Sequence, residues 1–210
     1  MSTPSSRTAS GTTVSIRPVT DLRAAAAVAG RGMRDNPTHL VWYGEDPARR
    51  EAGQTALVAR GASVLGWSLL GAYDDSGTLV GIAGHVAPGA CQPTPAQRLR
   101  LLPLATRLGP RTFARIGRTL TTWSENDSPV VHTHVGPVAV ERHLQGRGIG
   151  TALMAALGAL VDSTGTAAFL ETDKPENVTF YRRAGYEVVA EAEPGGVRTW
   201  FMLRTAIASR

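Results

Sequence analysis

The sequence predicts a mixed α/β (α+β) domain, and three observations carry that prediction. Short β-branched or apolar runs alternate with Ala/Leu-rich stretches of helical period, in the order β-α-α-β-β-α-α-β-α-β-α-β-β. Turn residues punctuate nearly every junction. One junction is unusual: the apolar run Val130 to Val140 passes through a short charged turn into Gln145-Gly146-Arg147-Gly148-Ile149-Gly150, and an Ala/Leu-rich helical pattern follows. The chain has 210 residues, 42% apolar and 19% charged, enough for one domain with a sizeable core.

Taken in order, residues 1–12 are rich in Ser and Thr with no apolar centre, and are expected to be a disordered tail. Thr13 to Val19 is a β-branched, alternating first strand ending at Pro18. Asp21 caps an Ala-rich helix that runs to about Met33, where Asn36-Pro37 breaks it. Pro47, at a first-turn position, opens a helix to about Leu65. Trp67 to Tyr73 and Thr78 to Ala87 form a hairpin around Asp74-Asp75-Ser76-Gly77. Residues 88–95 hold three prolines and read as a loop. Helices are expected from Ala96 to about Thr106 and from Arg111 to about Trp123, split by Gly109-Pro110. Gly136-Pro137 lies inside the strand Val130 to Val140, and proline donates nothing to a ladder, so this strand must bulge or leave a neighbour there. A helix from Thr151 to Val161, a buried strand from Ala167 to Thr172 and a short helix from Val178 to Ala184 follow. Tyr186 to Ala192 and Thr199 to Arg204 close the chain as a strand pair.

Composition narrows the function. No stretch is long and apolar enough to span a membrane, and a single cysteine, Cys91, allows no intrachain disulfide; both suit a cytoplasmic protein with no membrane partner. The net charge of +5 helps an anionic ligand approach, but the arginines are scattered without interleaved aromatics, so no nucleic-acid partner is expected. Trp42, Tyr43, Trp67 and Trp123 read as core by default.

The glycine-rich turn between a strand and a helix is suited to phosphate. Glycines let backbone N–H groups approach an anion, and the helix end adds partial positive charge. Gly150 is followed by Thr151-Ala152 with no Lys, which argues against a nucleoside triphosphate loop. The turn lies two-thirds along the chain, which argues against a dinucleotide fold.

The Gln145 to Gly150 turn, together with Asn177, Phe180-Tyr181 and Gly185-Tyr186, resembles the GNAT superfamily of N-acetyltransferases. The stretch Ala168 to Thr172 with Asn177 and Phe180-Tyr181, and the tail Arg198 to Met202, resemble its puromycin N-acetyltransferase-like subgroup, a label that names no substrate. The resemblance implies the GNAT fold: a mixed sheet of about seven strands, splayed between the fourth and fifth, flanked by helices, as one domain over residues 13–206. It implies acetyl-CoA as co-substrate and direct transfer of acetyl to a primary amine of a small molecule. Val138, Ala139 and Val140 would hold the pantetheine arm; Gln145, Gly146, Arg147, Gly148, Ile149, Gly150 and Thr151 would hold the diphosphate; Asn177 and Tyr181 would contact the arm. The Val138 N–H would polarise the thioester carbonyl, and Tyr181 would protonate the leaving thiolate. For the base, His134 on one strand and Glu171 at the end of the next lead, singly or as a coupled pair, with His132 and Glu125 behind them.

A structural role competes for each of these residues. Asn177 caps a helix equally well, and a strand histidine is more often packed than catalytic. No metal is expected: His132 and His134 lack a third ligand at suitable spacing, and Cys91 falls outside every motif. A protein Lys or N-terminal acetyltransferase and a non-catalytic acyl-CoA sensor are the rival functions. The family also leaves homodimerisation open.

Overall fold

A computed structural model describes residues 5–7 and 13–206. Its centre is an eight-stranded sheet with the order β1-β2-β3-β4-β5-β6-β8-β7. The strands are β1 (Ser5–Arg7), β2 (Thr13–Pro18), β3 (Ser68–Tyr73), β4 (Leu79–Val86), β5 (His132–Val140), β6 (Ala167–Thr172), β7 (Glu187–Ala192) and β8 (Thr199–Arg204). Every neighbouring pair is antiparallel except β5 with β6. This is the GNAT fold. The seven strands expected from the sequence are all present, and β5 and β6 are the fourth and fifth of that set. The eighth corrects the expected tail: Ser5–Arg7 adds to the outer edge of β2, where unpaired ladder groups accept even a three-residue strand. The rest of residues 1–12 lies outside the described residues.

Helices cover both faces. α1 (Leu22–Met33) and α3 (Pro47–Leu65) pack on one face, where Ala25, Val28, Val58, Leu69, Ile82 and Ala139 share a core. α7 (Ile149–Thr164) covers the other with Leu153, Leu157 and Val161 against Val14, Val80 and Leu170, and α8 (Pro175–Arg183) adds Val178 and Tyr181. A third cluster joins Trp42 and Tyr43 of α2 (Pro37–Tyr43) to Ile116 of α6 (Pro110–Glu125), with Trp123 packed on it. Trp42 and Tyr43 are core, as the default reading has it, with the Trp42 indole donating to Thr119 Oγ1 at 3.0 Å, while Trp67 and Trp123 are half-buried against the clusters. Among the described residues no helix is long and apolar enough to cross a membrane.

Beyond end shifts of one to three residues, such as β5 starting at His132 and α7 spanning Ile149–Thr164, three differences from expectation have a local cause. Asn36-Pro37 ends one helix but also begins α2, because proline fits the first helical position. The helix expected over 96–106 is two, α4 (Pro95–Leu101) and α5 (Pro103–Leu108), since Pro103 removes a donor; Thr94 and Gln97 form a capping box on the first. α8 begins at Pro175 with Lys174 as N-cap, so Asn177 sits inside the first turn and is not the cap.

Candidate active site

The site follows from the way β5 pairs. On one side β5 runs against β4 from Gly81↔Val140 to Val86↔His134. Between Ala83 and His85 the register shifts, so Gly84 faces both Gly136 and Pro137: this is the bulge the proline predicted. A Cβ at Gly84 would stand 2.5 Å from the Gly136 carbonyl oxygen, so the strands approach this closely only because position 84 has none. On its other side β5 pairs with β6 at three registers, His132↔Ala167 to His134↔Phe169, and then leaves it. β6 continues to Thr172 against β8. The splay therefore opens just past His134.

Ladder alternation settles which groups face the gap. The Glu141 N–H donates to Val80 O at 2.9 Å. The Ala139 backbone therefore also turns toward β4, and those of Val138 and Val140 turn away, to the open side. Val138 and Val140 thus present their backbone groups to the open side. Ala139 does not: its backbone belongs to the ladder and its side chain to the α1/α3 core.

At the end of β5 the glycine turn is built as its residues require. Gly146 (φ 77°) and Gly148 (φ 83°) are both left-handed. Gly148 is the N-cap of α7, and no side chain caps that helix, so its leading N–H groups have no partner within it. Arg147 and Thr151 are exposed at this turn. The Ile149 side chain is core, leaving only its backbone N–H to the turn. Gln145 has a different task from the one expected. Its side-chain amide donates to Gly32 O (3.0 Å) and Val140 O (3.1 Å), buckling the turn to α1 and β5. Glu141, paired with Arg31 at 2.6 Å, adds a second tie to α1. A Cβ at Gly150 would touch the Phe180 ring at 3.4 Å, so α8 lies close to the turn.

Where β5 and β6 part, the chain gathers its titratable groups. His134 Nε2 and Glu171 Oε2 are 3.2 Å apart, the coupled pair weighed from the sequence. Burial opposes an imidazolium there, but the Glu171 carboxylate and the Cys91 side chain outweigh it and raise His134 to about 10. Glu125 ends α6, exposed, and joins no ion pair among the described residues. Tyr181 is buried on α8 between Phe180 and Tyr186, with ring centroids at 5.0 and 5.9 Å. Burial, then the nearby Tyr186 and Asp173, push its hydroxyl above the ordinary tyrosine value.

Two features escaped the sequence reading. Asp173, at the end of β6, accepts the Thr38 backbone N–H at 2.8 Å and so anchors the first turn of α2. Beside it His39 is buried, its Nδ1 2.7 Å from Met33 O, and burial pushes its pKa down to about 4. The second is Cys91, whose sulfur lies 3.5 Å from His132 Nε2. Neither had a local signal, because the partners are far apart in sequence.

The splayed sheet and the glycine turn define the class, a GNAT-fold protein. Residues 113–188, from α6 to the start of β7, match the family model described as an acetyltransferase (GNAT) domain. Solved structures agree on the fold. One from Corynebacterium glutamicum, described as histone acetyltransferase HPA2 and related acetyltransferase, has a TM-score of 0.66 at 18% identity, covering 94% of this chain and 99% of that one. A phosphinothricin acetyltransferase from Sinorhizobium meliloti, solved with AcCoA, has a TM-score of 0.56 at 16% identity over 92% and 88%. The PaiA N-acetyltransferase of Thermoplasma acidophilum, solved with coenzyme A, has a TM-score of 0.55 at 14% identity over 91% and 98%.

Proposed function

We propose that this chain is an acetyl-CoA-dependent N-acetyltransferase that passes acetyl directly to a primary amine of a small molecule. The observation that carries the reading is the open edge of β5. Its outward backbone groups run from an uncapped helix N-terminus to the His134–Glu171 pair. An amide-rich pantetheine arm fits that edge as an added strand, with its diphosphate on the glycine turn. The CoA-bound structures of similar fold support the same choice of co-substrate.

In this reading the amine nitrogen attacks the thioester carbonyl carbon, the C–S bond breaks and CoA leaves as thiolate. The Val138 N–H faces the developing oxyanion. The Glu171 carboxylate, held beside the His134 imidazolium, takes the proton the amine must lose. Tyr181 faces the thiolate. Burial has raised its hydroxyl well above a thiol's reference value of about 8.5, so complete proton transfer to sulfur is uphill. The tyrosine acts chiefly as a hydrogen-bond donor to the leaving sulfur, and the thiolate is finally protonated from solvent.

An amine screen scored by released thiol, with puromycin in the first plate, tests the proposal. The expected result is thiol and acetylated amine in equal amounts for at least one small amine. Turnover confined to peptide Lys or N-terminal amines would make the acceptor a protein. Tight acetyl-CoA binding without turnover on any amine would make the chain a sensor.

A further inference from the structure

We infer that Cys91, His132 and His134 form a binding site for a zinc-class divalent cation, beside the splay and sharing His134 with the His134–Glu171 pair. One donor atom from each lies within 4.8 Å of the other two. Two donors on a tetrahedral zinc, with sulfur at about 2.3 Å and nitrogen at about 2.0 Å, stand about 3.5 Å apart. Cys91 Sγ and His132 Nε2 already have that separation, at 3.5 Å.

The second layer of contacts favours the same reading. Metal-bound histidines tie their other ring nitrogen to a carbonyl or carboxylate, which fixes the tautomer. His132 Nδ1 lies 2.7 Å from Val130 O and donates to it, which leaves Nε2 with its lone pair directed at the sulfur. His134 Nε2 lies 3.2 Å from Glu171 Oε2, which leaves Nδ1. That Nδ1 is buried with only the Cys91 sulfur as its polar neighbour, at no proper hydrogen-bond geometry among the described residues, and a cation between them would satisfy it. Asp127 Oδ1, 3.3 Å from His132 Nε2, stands ready as a fourth, oxygen donor. A thiolate, two imidazoles and a carboxylate suit zinc better than calcium or magnesium, which prefer oxygen alone. Cys91 sits on the turn between β4 and α4, while both histidines are fixed on β5, so the loop side chain swings to close the widest separation.

Cobalt titration of the untagged, chelator-stripped chain tests the site directly. The sequence has one cysteine, so a sulfur-to-cobalt charge-transfer band reports Cys91 alone. One equivalent of Co2+ should develop that band, and Zn2+ should bleach it. Cys91→Ser should abolish it and weaken Zn2+ by more than about tenfold in chelator competition, and Asp127→Asn should weaken it by about tenfold. Unchanged circular dichroism and melting temperature would verify that both variants fold. Absence of the band, or equal Zn2+ affinity in Cys91→Ser, would overturn the inference. The readout contains neither CoA nor amine, so its failure leaves the acetyl-transfer reading standing, and failure of the amine screen leaves the metal site standing.

Discussion

The two edges of β5 contrast. The edge toward β4 is closed from His134 to Val140, tightened by a glycine that lets the backbones touch at the bulge. The edge toward β6 closes for three residues and then opens. The same nine residues serve both, so the difference comes from the partners, not from the strand's own β propensity. Buried backbone groups must find partners. A strand left half-paired beside an uncapped helix therefore marks the place where something outside the chain completes the sheet.

The contrast is sharpest in the chemistry of the open edge. Tyr181→Phe should lower kcat by about 100-fold, the cost of losing one hydrogen-bond donor to the charge developing on sulfur, with little change in melting temperature. An unchanged kcat would remove the hydroxyl from the mechanism. Next in size is a pH effect at the mouth of the gap, where Asp173 holds α2 and His39 is buried neutral. The folded pKa of about 4 lies below the reference value of about 6.5, so the unfolded chain takes up a proton first as pH falls. His39's contribution should be intact above pH 6.5, decline between 6.5 and about 4, and be gone below. Urea melts at pH 7 and pH 4 should show this loss, and His39→Gln should reduce it.

At the closed edge, Gly84→Ala should cost about 1–3 kcal/mol in urea unfolding, because its Cβ has to push the Gly136 carbonyl away. Gly148→Ala should cost about 1–2 kcal/mol for its left-handed backbone, seen mainly as weaker acetyl-CoA binding in calorimetry. The smallest effect needs no mutation. In hydrogen exchange without ligand, the Val138 and Val140 amides should exchange faster than the Ala139 amide between them. Equal protection of all three would mean that the open edge is not open.

Much of this asymmetry was legible because its signals are local. Gly136-Pro137 announced the bulge, and Gln145 to Gly150 announced the turn, since left-handed positions and a missing donor are written in single residues. The pairing of His134 with Glu171 followed from placing both near the same strand ends. Other features are products of the tertiary fold. Gln145 binds the carbonyl of Gly32, and Cys91 meets His132 from a loop with no periodicity. The break at Leu102-Pro103 was written in the sequence, but the helical pattern on either side masked it. Nothing local tells a reader that Asp173 and Thr38 meet, because α2 reaches β6 only once the sheet has formed.

The three-residue contact between β5 and β6 is also a weld between two plates. β1 to β5 form one and β6 to β8 the other, with α7 bridging them in sequence. A molecule lying in the gap would be a staple across that weld as well as a reactant. Its contribution to stability would grow with the logarithm of its concentration, by about 2.7 kcal/mol at a hundred times its dissociation constant. The melting temperature of this protein would then serve as a gauge of how much co-substrate surrounds it.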